Sequence, residues 1–310
     1  MQRYLVTGAA GYVGREVVAY LLGRGEQVAA LDLSVPELGS ELIRVDLTDK
    51  LALDEALAGR SFDRILHIAS LPGDTGDPIE MIRVNVGGCL NMLEIARKAG
   101  VKRFVLTSSI SALGWFPATP FAPPDHLPVD EHQAPRPEDI YSSTKLMQEI
   151  LARTYFKQYG VPTTVLRLTA VIGPRGRGGG GTYRVMAEAL AKGERVQVPH
   201  MTSEELCHYV DVRDVARMQV VLAEHPEAVG EVFFCAGPRA VTGQEFADTI
   251  RSIVPGIAVE FGYPWSMAQG GRLCFSMDKA KNVLGFEPKY ALEDSIRNIV
   301  DWARTSGLSV

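Results

Sequence analysis

The chain has 310 residues, of which 46% are hydrophobic and 22% are charged, a composition typical of a globular protein with a large buried core. Its formal net charge of −5 and its lack of a Lys/Arg block argue against a nucleic-acid partner, because phosphate binding requires clustered positive charge. No apolar run approaches ~18 residues and the N-terminus lacks a signal-peptide pattern, so we expect a cytoplasmic protein that binds a small molecule and does not span a membrane.

Short strand-like runs alternate with helical patterns along the first half of the chain. Strands are predicted near residues 3–7, 27–32, 42–45, 63–68, 103–107 and 163–168, with helical segments between most of them. Such alternation favours parallel strands joined by right-handed crossovers, with helices on both faces of one sheet. The predicted fold class is therefore α/β, with a doubly wound parallel sheet of the Rossmann type.

The second half of the chain has a different organisation. Residues 173–181 are rich in glycine, proline and arginine, and shorter elements interleaved with prolines follow them. This change predicts a dinucleotide-binding domain over residues 1–170 and a smaller, mixed α/β substrate region over residues 171–310. The glycines at 178–181 are interpreted either as a mobile lid over a substrate or as a flexible connector.

The cysteines carry no recognisable metal-binding or disulfide spacing. They are Cys89, Cys207, Cys235 and Cys274. We interpret them as buried thiols and predict no metal site.

Three glycines after the first predicted strand indicate a dinucleotide site. Gly8 permits a tight turn, Gly11 lets the backbone approach a pyrophosphate, and Gly14 lets the following helix lie close to the sheet. A glycine turn in a unit that binds nothing is the alternative. Asp32 ends the second strand, where its carboxylate can accept hydrogen bonds from ribose hydroxyls and would repel a 2′-phosphate. NAD is therefore predicted in preference to NADP.

Several polar residues near predicted strand ends have two interpretations. Asp46 and Leu47 could cover the adenine edge, or Asp46 could cap a helix together with Thr48 and Asp49. His67 and His208 occupy positions that could suit acid/base or metal chemistry, and we interpret both as buried structural histidines.

Tyr141 and Lys145 lie four residues apart in a run with helical periodicity, so both side chains share one face. We expect Lys145 and a positively charged nicotinamide to lower the pKa of Tyr141 by roughly three units, against the opposing effect of burial. Tyr141 would then act as the acid/base while hydride passes between a substrate carbon and the nicotinamide. Lys145 would also hold the nicotinamide ribose.

A hydroxyl group should orient the substrate oxygen beside this tyrosine. Thr107, Ser108 and Ser109 end the strand at 103–107, on the edge where doubly wound sheets place their ligands. One of them is the candidate, and the alternative is that they only form a turn. The chain has no GxSxG turn, so hydrolase chemistry is disfavoured.

These motifs, in this order, resemble the extended short-chain dehydrogenase/reductases of the NAD-dependent epimerase/dehydratase family, over essentially the whole chain. The resemblance covers Thr7 to Gly14, Asp32, Asp46-Leu47, His67-Ile68-Ala69, Asn85, Ser108-Ser109, Tyr141 to Lys145, Gly173-Pro174 and Tyr209-Val210-Asp211. It implies that Ser109, five residues before Gly114, is the catalytic hydroxyl. The implied catalytic set is Ser109, Tyr141 and Lys145. The implied cofactor set is Gly8, Gly11, Tyr12, Val13, Gly14, Asp32, Asp46, Leu47, Ala69, Asn85 and Lys145.

The resemblance also implies a homodimer in which helices around residues 78–99 and 138–159 pair. Periodicity alone would make these helices covers of the sheet.

Departures from the family pattern bear on the substrate. Ile110-Ser111 replaces the Asp-Glu pair of the dehydratases, which disfavours elimination of water. Ala170 and Glu205 replace an asparagine and an arginine typical of nucleotide-sugar members. Possible replacements for the lost anion contacts are Arg175, Arg177, Arg184 and Arg272, each of which could instead be a solvated surface group. The stretch at 108–117 resembles uronate dehydrogenases and related sugar-acid oxidoreductases.

The sequence therefore predicts an NAD-dependent oxidoreductase that acts on a hydroxyl of a sugar or sugar acid. A nucleotide-sugar epimerase with tightly bound NAD is the alternative. A non-catalytic dinucleotide sensor is the third possibility.

Overall fold

The computed structural model describes residues 1–34, 40–73, 76–114, 123–174, 181–198, 202–261 and 273–305. The described strands are β1 (Arg3–Thr7), β2 (Gln27–Asp32), β3 (Glu41–Arg44), β4 (Arg64–His67), β5 (Arg103–Ser109), β6 (Thr163–Leu168), β7 (Ala170–Ile172), β8 (Val196–Val198), β9 (Leu206–Cys207), β10 (Tyr209–Asp211), β11 (Val232–Cys235), β12 (Val241–Thr242) and β13 (Val259–Phe261).

The described α-helices are α1 (Tyr12–Gly23), α2 (Lys50–Leu57), α3 (Pro78–Met81), α4 (Gly88–Ala99), α5 (Ile140–Tyr159), α6 (Gly181–Lys192), α7 (Val212–Glu224), α8 (Gly243–Ile253), α9 (Asp278–Leu284) and α10 (Leu292–Thr305). A π-helical segment, Ile82–Gly87, joins α3 to α4, and 3₁₀ turns lie at Ile110–Leu113 and Pro226–Ala228.

The main sheet has seven strands in the order β3-β2-β1-β4-β5-β6-β11, and all of its pairs are parallel. The strand order reverses direction between β1 and β4, and ligands of such sheets bind at this switch point, beyond the carboxyl ends of the strands. Thr7 lies opposite both Leu31 and His67, so the loop after β1 starts at the centre of that edge. The predicted doubly wound fold is confirmed, and all six predicted strands are present.

Helices cover both faces of this sheet through separate apolar clusters. One cluster joins α1 and α7 around Val17, Val18 and Val215. The other joins α2, α4 and α5 around Leu53, Met92 and Ala152. The helices predicted around residues 78–99 and 138–159 are thus present, as α3 to α4 with the intervening π-helical segment, and as α5.

The C-terminal region combines short strand pairs with α6, α8 and α10. The pairs β7–β10 and β8–β13 are parallel, whereas β9–β12 is antiparallel. The core of this region includes Phe246, Ile250 and Ile299, all fully buried. This is the smaller, mixed α/β part that the sequence predicts.

The chain returns to the main sheet after residue 170. Strand β11 pairs with β6, with Val232 opposite Val165 and Cys235 opposite Leu168. Helix α7 packs against α1 on one face of the same sheet. The predicted domain boundary near residue 170 stays a prediction, and both sides of it contribute to the sheet.

No helix in the described ranges is long and apolar enough to cross a membrane. All four cysteines are free thiols; Cys89, Cys207 and Cys235 are buried, as expected, and Cys274 is half-buried.

Candidate active site

The turn after β1 can be built only from glycine at two of its positions. Gly8 has a φ of +69°, and a Cβ there would lie 2.7 Å from the backbone nitrogen of Ala69. A Cβ at Gly14 would overlap the carbonyl oxygen of Gly8 and lie 2.9 Å from Cα of Ala9. The amide of Gly11 donates to the carbonyl of Gly8 at 2.9 Å and closes the turn. These contacts hold the start of α1 against the sheet edge.

The start of α1 is suited to an anion. Its N-cap residue is Gly11, which has no side chain to accept from the first N–H groups of the helix. Those groups and the helix dipole favour a phosphate at this position. The tight glycine cradle and the helix terminus therefore fit the pyrophosphate of a dinucleotide.

The two residues that begin α1 have different neighbours. The hydroxyl of Tyr12 lies beside Gly173, where a Cβ would be 3.0 Å away from it. Val13 is partly buried against the apolar cluster between α1 and α7.

Asp32 supports the same turn from the end of β2. Its Oδ2 accepts from the amide of Ala10 at 3.0 Å, and its Oδ1 accepts from the amide of Ser34 at 3.1 Å. A carboxylate has about four acceptor sites, so two remain for ribose hydroxyls. Asp32 thus fixes the turn and can also bind a ligand.

Asp46 and Leu47 lie beyond the end of β3. Asp46 accepts from both the amide and the hydroxyl of Thr48, at 2.9 and 2.8 Å, whereas Asp49 caps α2 through the amide of Ala52. Leu47 is buried, and its carbonyl accepts from the Asn91 side chain at 2.8 Å. Asp46 therefore stabilises the turn before α2, and an additional contact with adenine stays a prediction.

His67 connects β4 to the glycine turn through Thr7. The Thr7 hydroxyl accepts from the amides of Ile68 and Ala69, at 3.2 and 3.3 Å, and lies 2.9 Å from Nδ1 of His67. Burial lowers the pKa of His67 to about 3, and the charge of Lys145 lowers it further. The imidazole is thus a buried neutral group, as expected.

His208 is likewise structural. Its Nε2 bonds to the carbonyl of Gly237 at 2.9 Å, and its Nδ1 accepts from the amide of Phe275 at 3.1 Å. Burial lowers its pKa.

Asn85 joins the loop after β4 to helix α5. It lies in the π-helical segment and is fully buried. Its Oδ1 accepts from the amide of Leu71 at 2.7 Å, and its Nδ2 donates to the carbonyl of Leu71 and to Oγ1 of Thr144 at 3.0 Å. Thr144 in turn donates to the carbonyl of Tyr141 at 2.7 Å. The amide of Asn85 is therefore used chiefly to position α5, and a contact with the cofactor stays a prediction.

Ser109, Tyr141 and Lys145 are brought together at the carboxyl edge of β5. Ser109 is hydrogen-bonded to Tyr141, and its Oγ lies 3.0 Å from Oγ of Ser111 and accepts from the amide of Ser111 at 3.1 Å. Lys145 is 4% exposed, donates to the carbonyl of Thr107 at 3.2 Å, and lies 5.8 Å from the centroid of the Tyr141 ring. The predicted catalytic residues thus form one cluster, with the ammonium group inside the protein.

Burial is the largest influence on the pKa values of Tyr141 and Lys145. Burial raises the pKa of Tyr141 to about 12, with Ser109 lowering it through a hydrogen bond and Asp139 raising it. Burial also lowers the pKa of Lys145 to about 8, which Cys89 and Glu149 partly oppose. In the protein without a cofactor, desolvation therefore outweighs the groups that lower the tyrosine pKa, and the predicted lowering by Lys145 together with the nicotinamide stays a prediction.

A buried ion pair beside this cluster is absent from the sequence predictions. Arg167 donates to both carboxylate oxygens of Glu149, at 3.0 and 2.7 Å, and Ser108 donates to the same carboxylate at 2.6 Å. Glu149 follows Lys145 by four residues on α5, a spacing that could have indicated it. Its partner on β6 has no local signal in the sequence.

The substrate side is only partly described. Ala170 begins β7, and Glu205 is buried, with its carboxylate accepting from the amide of Thr202 at 2.7 Å. Arg175, Arg177, Arg272, the glycines at 178–180 and residues 115–117 lie outside the described residues, as does the side chain of Arg184. The proposed lid and the candidate anion contacts therefore stay predictions.

Known proteins share this architecture over the full chain. The UDP-glucose 4-epimerase of Halalkalibacterium halodurans is 29% identical over 324 residues, which cover 96% of this chain and 94% of that protein. The probable UDP-glucuronate 4-epimerase of Rhizobium meliloti is 26% identical over 336 residues, covering 97% and 96%. The crystal structure of the Thermus thermophilus UDP-glucose 4-epimerase in complex with NAD matches with a TM-score of 0.82 and 28% identity, covering 98% of this chain and 99% of that chain.

The family model described as "NAD dependent epimerase/dehydratase family" matches residues 4–236. This range includes the glycine turn, Asp32, Ser109, Tyr141 and Lys145. The match confirms the resemblance drawn from the motifs and the predicted use of NAD, and the chain belongs to the NAD-dependent epimerase/dehydratase family.

Proposed function

We propose that this protein is an NAD-dependent dehydrogenase that oxidises a secondary or anomeric hydroxyl of a sugar or sugar acid. The observation that carries the proposal is the cluster at the end of β5, where the hydroxyls of Ser109 and Tyr141 are hydrogen-bonded and Lys145 is buried beside them. It lies at the same sheet edge as the glycine turn.

The residues that would hold the cofactor follow from the geometry above. The turn from Gly8 to Gly14, with Tyr12 and Val13, would receive the pyrophosphate, and Asp32 would accept from the adenosine ribose. Asp46 and Leu47 would border the adenine, with Ala69, Asn85 and Lys145 on the nicotinamide side. NAD, when bound, supplies the hydride acceptor and a positive charge near Tyr141.

Tyr141 would take the proton of the substrate hydroxyl. Its pKa of about 12 in the protein alone keeps the phenol protonated near pH 7, so positive charge close to the ring is required to form the phenolate that acts as the base. Lys145 provides one such charge, and the hydrogen bond between Ser109 and Tyr141 favours the phenolate. Ser109 would also orient the substrate oxygen toward Tyr141.

A substrate without a nucleoside diphosphate fits the described part of the substrate region best. At the position where nucleotide-sugar members of the family typically carry an arginine, this protein has the buried side chain of Glu205. We expect a carboxylate at this position, in place of an arginine, to disfavour a diphosphate, because like charges repel. Sugars and sugar acids avoid this repulsion.

The test is NADH formation when the purified enzyme and NAD are incubated with a panel of aldoses, uronates and aldonates. At least one compound should release NADH, and Tyr141→Phe should reduce that rate by roughly 10²–10⁴-fold while NAD binding persists. If no member of the panel reacts while a UDP-sugar is converted, the proposal is wrong.

A nucleotide-sugar 4-epimerase is the second candidate, and the names of the similar proteins favour it. The same Ser109, Tyr141 and Lys145 would oxidise the sugar transiently and return the hydride to the opposite face. This activity predicts copurifying NAD, no net NADH, and interconversion of UDP-glucose and UDP-galactose or of their uronates. A chromatographic assay of the two epimers distinguishes it from the dehydrogenase.

We also propose that the protein is a homodimer of the cytoplasm. Large apolar side chains are exposed on the two predicted interface helices and the adjoining π-helical segment: Ile79, Ile82, Leu90, Met147 and Ile150. Such exposed apolar side chains favour contact with a second copy. Light scattering should give a dimer mass, and Leu90→Glu should shift it toward the monomer, whereas Leu51→Glu on α2 should leave it unchanged.

The location in the cytoplasm is supported by the free thiols, which are typical of a reducing compartment. Cell fractionation tests it.

A further inference from the structure

A buried cluster of three polar side chains connects β5 with α5 and β6. It consists of Ser108, Glu149 and Arg167, which are 2%, 7% and 5% exposed. Glu149 accepts one hydrogen bond from Ser108 and two from Arg167. The two bonds to the guanidinium make this a buried ion pair, and Ser108 adds a third hydrogen bond to the same carboxylate.

This cluster is connected to both elements that hold Lys145, helix α5 and strand β5. Glu149 lies one helical turn after Lys145, on the same face of α5. Ser108 immediately follows Thr107, whose carbonyl accepts from Lys145. The helix and the strand are therefore joined twice within one turn, once through the ammonium and once through the carboxylate, so the position of Lys145 depends on both contacts.

The charges around Lys145 single out Glu149 among the described residues. The Cys89 thiol from α4 has its pKa raised by burial to about 12, and His67 from β4 has its pKa lowered to about 3, so both are neutral near pH 7. Tyr141, on α5 itself, is a neutral phenol in the protein alone. Cys89 and Glu149 both oppose the desolvation of the ammonium, and of these two groups Glu149 is the carboxylate.

We propose that Glu149, held in place by Arg167 and Ser108, is a positioning residue that keeps the Lys145 ammonium charged and fixed against the end of β5. This inference rests on the proposed role of Lys145, since a neutral lysine could not favour the phenolate of Tyr141. Arg167 pairs with both carboxylate oxygens of Glu149 and fixes the orientation of the carboxylate. The pair is therefore part of the electrostatics of the active site as well as of its packing.

The test is the titration of Lys145 in the full-length protein, observed by NMR with ¹³C,¹⁵N-lysine. Lys145→Met assigns the signal. Glu149→Gln removes the anion and leaves Arg167 uncompensated, so the Lys145 pKa should fall by about one unit. Arg167→Met leaves the anion uncompensated, so the same pKa should rise by about one unit. The double variant should give a value between those of the wild type and Glu149→Gln, because Glu149 is the nearer charge.

Shifts of the Lys145 pKa in opposite directions in the two single variants support the proposal, since a merely structural effect would not change sign between them. Unchanged midpoints, or displacements of the same sign, overturn it. If the single variants fail to fold, the double variant decides, because replacing both partners of a buried pair is often tolerated. In that case the proposal is overturned if the Lys145 pKa of the double variant does not fall below that of the wild type. Asp214→Asn is the matched control, a fully buried carboxylate on α7 whose loss should leave the Lys145 midpoint unchanged.

The titration requires no substrate, so failure to find dehydrogenase activity leaves its result interpretable. Where a substrate is found, the basic limb of the kcat profile should move with the Lys145 midpoint in each variant.

Discussion

Replacing Gly14 by alanine tests whether close contact between α1 and the glycine turn is required for NAD binding. The added methyl would overlap the carbonyl oxygen of Gly8 and lie 2.8 Å from its carbonyl carbon and 2.9 Å from Cα of Ala9. The methyl carbon would lie 2.0 Å from that oxygen, and unbonded heavy atoms pack at more than about 3 Å, so the helix or the turn must move by roughly 1 Å or more. All three contacts are with backbone atoms, and no side-chain rotation can relieve them.

The expected magnitude follows from this overlap. Inserting a methyl group into a tightly packed position costs about 1–3 kcal/mol, and ~2 kcal/mol lowers Tm by roughly 3 °C in a chain of 310 residues. The same displacement misplaces the N–H groups at the start of α1. We expect NAD affinity to fall at least about tenfold, which corresponds to ~1.4 kcal/mol of lost binding free energy.

Gly23→Ala, at the other end of the same helix, is the matched control. No heavy atom lies within 4 Å of its Cβ position. Alanine in a helix is favoured over glycine by about 0.5–1 kcal/mol, so this variant should melt at the same or a slightly higher temperature. The assays are thermal unfolding and calorimetric titration with NAD. If Gly14→Ala binds NAD within about threefold of the wild type and melts with Gly23→Ala, the close-contact argument is wrong.

Three further predictions concern single side chains. Asp32→Ala removes the acceptor for the Ala10 amide and the charge that would repel a 2′-phosphate, so the ratio of NAD to NADP affinity should fall about tenfold or more in titrations with both cofactors. Ser111→Ala removes the hydroxyl partner of Ser109, and kcat should fall by up to about tenfold with little change in KM; an unchanged kcat would show that Ser109 needs no such partner. His67 has a pKa of about 3 in the folded protein, below its ordinary value of 6.5, so the unfolded chain binds more protons between these values and the free energy of unfolding should fall as pH falls through this range. This group contributes up to about 1.4 kcal/mol per pH unit to the slope of the free energy of unfolding against pH. Urea unfolding at pH 7 and pH 5 should therefore give a smaller difference in the free energy of unfolding for His67→Asn than for the wild type.

Much of the cofactor end of the fold was predictable because its signals are local. The spacing of Gly8, Gly11 and Gly14 states where a strand must turn into a closely packed helix, and the structure places each of them in that turn. Each predicted strand of the main sheet lies within two residues of its predicted bounds, since buried parallel strands are short apolar runs. Tyr141 and Lys145 share a face because helical periodicity requires it.

The features that were missed depend on partners far away in the sequence. Strand β11 reaches the edge of the main sheet beside β6, and no pattern within residues 232–235 indicates that neighbour. Arg167 and Glu149 resemble ordinary surface charges in the sequence, and only the packing of α5 on β5 and β6 makes them a buried pair. The π-helical segment around Asn85 was not predicted either, and the partners of Asn85, Leu71 and Thr144, lie 14 and 59 residues away in the sequence.

The size of the burial effect on the tyrosine pKa is a related case, because a sequence shows which charges are present and not how deeply each is buried. Burial disfavours the charged form of every group, so it raises the pKa of Tyr141 to about 12 and lowers that of Lys145 to about 8. Both groups are thereby displaced toward neutrality, which opposes the ion pair that base catalysis needs. Ser109 acts against this displacement at the phenol and Glu149 acts against it at the amine. The proposed catalytic pair therefore depends on these second contacts, and changes to them should alter the pH dependence of the reaction before they alter the fold.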